Sequence, residues 1–231
     1  MIDFHSHILP LMDDGSKSVE DSINMLQELS RQGVTKVAAT PHFYAEKESV
    51  ESFLTRRNEA FELLKPHLSG QDPQILLGAE IKYYQGISKL NSLKALQLED
   101  SGILLIEMPF SHWTEYTVKE ISDIASNGDL TVVIAHIERY MRLGNRKNIS
   151  RLQNCDVLIQ ANAEFFSNVF TRNKALNMLY NGDIQLIGTD CHNMTVRRPN
   201  MNKAVDSINK KFGNEFLEII NDYQADLLNN K

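Results

Sequence analysis

Seven times along the chain a short run of Val, Ile, Leu and Ala gives way to a longer stretch with helical spacing. The runs are MIDF (1–4), KVAAT (36–40), QILLGAE (74–80), GILLIEM (102–108), TVVIAH (131–136), DVLIQ (156–160) and IQLIGT (184–189). Short, uniformly apolar strands are typical of parallel sheets, which are buried on both faces. The stretches between them carry helix signals. Ser18 and Asp21 form an S-x-x-D cap ahead of Val19, Ile23, Leu26 and Leu29, and Gly33 stands where such a helix ends. Val50, Phe53, Leu54, Phe61 and Leu64 mark a second helix that stops near Pro66, and further helices are expected around 115–127, 145–153, 172–181, 199–211 and 214–229. Parallel strands joined by helical crossovers leave two architectures, an open doubly wound sheet or a closed barrel. No linker, repeat or low-complexity stretch divides the 231 residues, so one α/β domain over 1–231 is expected.

Several function classes fall away. A net charge of −6 argues against a general nucleic-acid binder, which usually carries a basic stripe. No apolar run is long enough to span a membrane, and the apolar start has no basic flank, so neither membrane insertion nor a secretory leader is expected. Two cysteines, Cys155 and Cys191, are too few for a disulfide framework. A cytoplasmic enzyme or binding protein is the expectation, with its oligomeric state left open.

The polar residues at the ends of the apolar runs are more telling. His5 and His7 leave the first run, His42 the second, Glu80 the third, Glu107 the fourth and His136 the fifth, while Asp190 and His192 leave the seventh. Parallel strands point their carboxyl ends to one side, where α/β active sites are built. Five of the seven histidines would therefore meet acids on one rim. Imidazoles and carboxylates gathered without thiolates suit divalent cations, and this many ligands suits two or three of them. Each element has a plainer reading by itself. Asp13-Asp14-Gly15 can be a turn, Glu80 or Glu107 a helix cap, His67 a solvated helix exit and His112 a loop residue. The joint placement favours the metal reading.

A rival chemistry lies in CHNMTVR. Cys191 and Arg197 have the C-x5-R spacing of cysteine-dependent phosphatases. That loop needs inward backbone N–H groups and a depressed thiol pKa, whereas this one has no glycine and sets Cys191 beside the negative charge of Asp190. Cys191 is expected to fill a small buried gap.

The stretches DFHSHILPLMDDG, ATPHF, GAEI, IEMP, VIAHIERY, QANA and GTDCHN…RRPNM run in order from residue 3 to about 201. Together they resemble the polymerase-and-histidinol-phosphatase (PHP) superfamily of metallohydrolases, and more closely its bacterial capsule and exopolysaccharide protein-tyrosine phosphatases. The resemblance implies a distorted, TIM-like (β/α)7 barrel with a trinuclear site most often described with manganese; Fe, Co or Zn would also suit such ligands. It assigns His5, His7, Glu80 and Asp190 to one ion, Glu80, Glu107 and His136 to a second, and Asp14, His42 and His192 to the third. Arg139 and either Arg197 or Arg198 would bind phosphate, and Asp13 would orient His5 or His7 or shape the turn. The chain departs from the family at Ile137, where proline is usual, at Cys191, where a small residue is common, and in the bulky QANAEFF.

The implied reaction is hydrolysis of protein phosphotyrosine. A water acidified by the ions attacks phosphorus in line, and Arg139 and Arg197 neutralise the non-bridging oxygens. Selectivity would need an aromatic mouth, for which Phe43, Tyr44, Phe110, Trp113 and Phe165 are candidates. The implied partner is a tyrosine-phosphorylated bacterial autokinase that regulates capsule or exopolysaccharide synthesis. Two other functions fit the same ligands: a small-metabolite phosphoesterase of the histidinol-phosphate type, and a non-catalytic metal-binding regulatory module.

Overall fold

Every strand pairing in the computed structural model, which describes residues 1–229, is parallel. The strands are β1 (Ile2–Ser6), β2 (Lys36–Ala39), β3 (His42–Phe43), β4 (Gln74–Leu77), β5 (Glu80–Lys82), β6 (Ile103–Glu107), β7 (Thr131–Ile134), β8 (Leu158–Asn162) and β9 (Leu186–Gly188). The helices are α1 (Val19–Arg31), α2 (Val50–Leu64), α3 (Glu115–Ser126), α4 (Arg146–Gln153), α5 (Ala163–Ser167), α6 (Arg172–Tyr180), α7 (Met201–Phe212) and α8 (Asn214–Asn229). Short 3-10 turns at Ile87–Lys89 and Leu93–Leu96 follow β5 in place of a helix.

The second apolar run is followed by an extra strand, and the third breaks in two. Pro41 has no N–H to donate, and the chain bends there between β2 and β3; a second bend at Gly78-Ala79 separates β4 from β5. Two sheets result, ordered β1-β2-β4 and β3-β5-β6-β7-β8-β9. A parallel bridge between Ser6 and Cys191 joins their free edges. There the Asp190 amide donates to His5 O at 2.7 Å and the His7 amide to Cys191 O at 2.9 Å. The outcome is the distorted seven-run (β/α) barrel of the sequence reading, closed at the point where β1 and β9 deliver their polar residues.

Side chains alternate between two apolar clusters, as strand geometry requires. Ile103 and Leu105 of β6 join Phe4, Ala38, Val133 and Leu186 in an inner cluster, against which Ala225, Leu227 and Leu228 of α8 pack. Leu104 and Ile106 point the other way, to an outer cluster shared with the helices. α1 supplies Met25, Leu26 and Leu29 to that layer, starts on the Ser18 side chain that accepts from the Asp21 amide, and is followed by Gly33 at φ 81°.

Some boundaries differ from the sequence reading. β1 extends to Ser6, so His5 lies within the strand instead of leaving it, and the sixth strand runs two residues later than DVLIQ. α5, inside QANAEFF, was not anticipated. Among the described residues no helix is long and apolar enough to cross a membrane.

Candidate metal centre

His42 and Glu80 are register partners across β3 and β5, so the two strand breaks set an imidazole beside a carboxylate. His42 Nδ1 lies 2.9 Å from Glu80 Oε2, and His136 Nε2 lies 2.8 Å from Glu80 Oε1. From β1, the Nε2 atoms of His5 and His7 are 3.2 Å apart and stand 3.2 and 3.3 Å from Glu80 Oε2. Asp190 Oδ1 closes that group at 3.6 and 3.5 Å from the same two nitrogens. Asp14 Oδ1 lies 3.5 Å from His42 Nε2 and 3.3 Å from His192 Nε2. Glu107 Oε1 lies 3.7 Å from His136 Nε2. All nine residues expected as ligands therefore converge on the rim.

The clusters divide somewhat differently from the sets that the resemblance implied. Donor atoms within 4.8 Å of one another form His5/His7/Asp190, His42/Glu80/Glu107 and His7/Asp14/His42/His192. His42 thus faces Glu80 and Glu107 as well as Asp14 and His192, while His136 faces Glu80 more closely than Glu107.

This donor set fits divalent cations. Ligands held about 2.1 Å from one ion stand roughly 3.0–3.5 Å apart, the spacing seen here. His42 Nδ1, Glu80 Oε2 and His192 Nε2 are buried with no hydrogen-bond partner. Each such orphan costs about 1–3 kcal/mol unless something satisfies it. Burial alone would raise the Glu80 and Asp190 carboxyls, yet the neighbouring His5 charge and hydrogen bonds from histidines hold both well below the usual carboxylate range. The two acids demand positive charge, which protons or cations can supply.

The imidazoles are aimed from behind. Against burial, Asp13 holds the His7 imidazole in its charged form well above the usual pH range, and His7 Nδ1 donates to Asp13 Oδ2 at 2.7 Å. His192 Nδ1 donates to the Asp190 carbonyl at 2.9 Å. Gln160 Oε1 accepts from His5 Nδ1 at 3.3 Å and from the His136 amide at 2.7 Å. The Nδ1 bonds leave the Nε2 atoms of His5, His7 and His192 facing the cluster. His136 Nδ1 meets the Tyr140 hydroxyl at 3.1 Å, and that hydroxyl also accepts from the Met108 amide. His136 (φ 34°) and Asp190 (φ 54°) occupy the left-handed region, a strained backbone of the kind found at functional sites. A Cβ on Gly15 would meet His7 Cβ at 2.5 Å and one on Gly188 would meet His5 Cβ at 2.5 Å, so both positions require glycine.

Arg139 and Arg197 grip Asp190 from two sides, Arg139 Nη2 at 2.6 Å from Oδ2 and Arg197 Nη2 at 2.7 Å from Oδ1. Asn162 Nδ2 adds a third hydrogen bond to Oδ2 at 3.0 Å. Both guanidiniums open onto a cleft of ≈ 610 Å³ that Arg198 and Lys203 also line. Arg197 thus reaches the ligand cluster, whereas Arg198 is exposed farther out.

The aromatic candidates separate. Phe43 is 1% exposed and packs edge-on to Phe53, and Trp113 is 1% exposed, tilted against Tyr140 with Nε1 donating to the Pro109 carbonyl. These two belong to the core, a correction to their expected place at the mouth. Tyr44 stands beside His42 at the rim and Phe110 is exposed on a neighbouring cleft with Arg139, whereas Phe165 belongs to the core and only an edge of it reaches that cleft. His67 and His112 are exposed and outside the clusters. Cys191 is fully buried, and burial, with Asp3 and Asp190 nearby, pushes its thiol well up, the opposite of an activated nucleophile.

Sequence reading missed Gln160, Tyr140, Asn162 and Asp3. A glutamine inside the apolar run DVLIQ and an acid in the middle of MIDF were the available signals, because buried polar groups need a reason.

Comparison with known proteins follows the same line. Residues 1–228 match the family model for capsular polysaccharide synthesis proteins CpsB/CapC. The tyrosine-protein phosphatase CpsB of Streptococcus pneumoniae is 36% identical over 231 aligned positions, covering 92% of this chain and 91% of the relative. The tyrosine-protein phosphatase YwqE of Bacillus subtilis (strain 168) is 31% identical over 240 aligned positions, covering 100% and 92%. The fold matches, with a TM-score of 0.84 and 27% identity, a crystal structure from work on YwqE of B. subtilis and CpsB of S. pneumoniae, described as unique metal-dependent tyrosine phosphatases. That match covers 100% of this chain and 95% of the other.

Proposed function

The chain belongs to the CpsB/CapC family of capsular polysaccharide synthesis proteins, and from that premise we propose that it is a metal-dependent protein-tyrosine phosphatase. The observation that carries this reading is a set of buried donor atoms, Glu80 Oε2, His42 Nδ1 and His192 Nε2, left without hydrogen-bond partners beside two arginines that open onto a cleft. One catalytic unit spanning 1–231 is part of the same proposal.

His5, His7 and Asp190 would hold one ion, Glu80 would bridge towards Glu107, His42 and His136, and Asp14, His42 and His192 would hold an ion at the outer edge. When bound, divalent ions supply Lewis acidity to phosphoryl oxygens and lower the pKa of a water towards about 7. Manganese is the proposed metal, with Fe, Co and Zn suited to the same donors.

The chain's own groups perform the remaining work. Arg139 and Arg197 turn from Asp190 to the non-bridging oxygens, where planar guanidiniums bind phosphate in pairs of hydrogen bonds. Asn162 keeps Asp190 in place as the arginines shift. Gln160, Asp13 and Tyr140 fix the imidazole rings, so little reorganisation is needed as charge develops. A tyrosyl oxygen with an ordinary pKa of about 10 leaves far more readily than an alkoxide.

The proposed substrate is phosphotyrosine on a bacterial tyrosine autokinase acting in capsule or exopolysaccharide synthesis. Two free cysteines support a reducing, cytoplasmic setting. The test compares kcat/KM for phosphotyrosyl peptides, phosphoseryl peptides and a panel of small phosphate metabolites that includes histidinol phosphate. Preference for phosphotyrosine supports the reading. Preference for one small metabolite overturns it.

A further inference from the structure

A second cleft of ≈ 440 Å³ leaves the reaction cleft at Arg139 and runs towards the start of α6. The two clefts share Arg139, Glu164 and Asn168. The walls of the second combine aromatic rings with cations. Phe110 is 74% exposed and Phe170 is 91% exposed, large apolar surfaces that folding leaves in water. Arg142 and Lys174 line the same cleft, and neither has an ion-pair or hydrogen-bond partner among the described residues. Partial burial and the nearby charges of Arg146 and Arg142 lower the Lys174 pKa, which marks the three cations as a mutually repelling group. On a chain of net charge −6, such an uncompensated positive cluster calls for an anion. Two acids also line it: Glu164 lies at the junction of the clefts, and Glu138 Oε2 already accepts from the Asn162 amide.

We propose that this cleft binds a second phosphotyrosine of the same substrate chain, its ring against Phe110 and Phe170 and its phosphoryl group between Arg142 and Lys174. The inference rests on the phosphatase reading and adds a substrate preference, for chains phosphorylated on neighbouring tyrosines. Rings beside cations match an aryl phosphate better than a carboxylate, which would use the cations and leave the phenyl faces in water. Continuity of the clefts through Arg139 favours one chain occupying both.

The test uses metal-loaded wild type, the double variant Arg142→Ala/Lys174→Ala, and Phe170→Ala. Substrates are p-nitrophenyl phosphate and peptides with one phosphotyrosine, with two separated by one to three residues, or with one phosphotyrosine and a glutamate. The expected wild-type KM is about tenfold lower for a doubly phosphorylated peptide than for the single one. The double variant should lose that advantage with kcat intact, keep the single-phosphotyrosine peptide and p-nitrophenyl phosphate unchanged, and Phe170→Ala should lose part of it. Equal KM for one and two phosphotyrosines, an equal loss on every substrate, or glutamate matching the second phosphotyrosine would overturn the proposal. Should wild type hydrolyse no phosphotyrosyl peptide, the phosphatase reading fails on its own. Anisotropy with non-hydrolysable phosphonate peptides then decides the cleft: tighter binding of the double phosphonate, lost in Arg142→Ala/Lys174→Ala, supports it, and equal binding sinks it.

Discussion

Asp13 Oδ2 accepts a hydrogen bond from His7 Nδ1 at 2.7 Å and another from the His42 amide at 2.9 Å, tying one imidazole and the backbone that carries another to a single carboxylate. Its other oxygen accepts from the Gly15 amide at 2.8 Å. Three donors on one side chain leave no place for an amide N–H, so Asp13→Asn should misplace His7 where a surface change would not. Supporting groups of this kind alter metal affinity by about 10–100-fold. Asp13→Asn should weaken Mn²⁺ binding in a competition titration by that factor, while KM at saturating metal changes little. Unaltered Mn²⁺ affinity would show that Asp13 only shapes the turn.

Arg197 and Arg198 are adjacent in sequence but not in role. Arg197 Nη2 sits 2.7 Å from Asp190 Oδ1, whereas Arg198 is exposed on the wall of the same cleft. Loss of a donor that meets developing charge typically costs about 10²–10³ in kcat. Arg197→Ala should fall by that order on p-nitrophenyl phosphate and Arg198→Ala by only a fewfold. The reverse order would move the phosphate outwards from the cluster.

Trp113 turns inward from its loop, held by Asn145 Oδ1 on its amide and by the Pro109 carbonyl on its indole. Trp113→Ala should therefore cost roughly 3–5 kcal/mol of stability, the usual penalty for emptying a buried aromatic site. Urea unfolding measures the loss, and KM for peptides measured below the transition should stay near wild type. A raised KM with intact stability would return Trp113 to the mouth.

Asp3 is fully buried and accepts from the Thr189 amide and hydroxyl and from the His5 amide. Burial raises its carboxyl from 3.8 to about 6, outweighing those bonds. The folded state therefore holds this proton more tightly than the unfolded chain. Its stabilising contribution is fully present below pH 3.8 and is lost as pH rises through about 6. An amide escapes that penalty, so in metal-stripped protein the stability of Asp3→Asn relative to wild type should rise by about 2 kcal/mol between pH 4 and pH 7. A difference that does not vary with pH would mean that Asp3 titrates normally.

The convergence of the candidate ligands was legible because the chain offers strands to one rim. Glu107, His136 and Asp190 each close an apolar run, and parallel strands present their carboxyl ends together. Orientation was not legible: Phe43 and Trp113 also follow run ends, yet sequence position does not say which way a loop side chain turns. The supports were hidden for a different reason. Gln160 and Asp3 lie within strands where a single polar residue reads as noise, and their partners, His136 and Thr189, are 24 and 186 residues away. Positive φ at His136 and Asp190 leaves no sign in the residue type, since neither is glycine. The break at Gly78 had a sequence signal, yet QILLGAE reads as one run, and the two-residue strand beyond Pro41 is too short to show as a run of its own.

The most direct test is p-nitrophenyl phosphate hydrolysis by metal-stripped protein, before and after Mn²⁺ is added, in wild type, Cys191→Ser and His136→Ala. Wild type and Cys191→Ser should be silent when stripped and recover with Mn²⁺, and His136→Ala should stay silent throughout. Activity that persists without metal and disappears in Cys191→Ser would contradict the account and make the C-x5-R loop the catalytic centre.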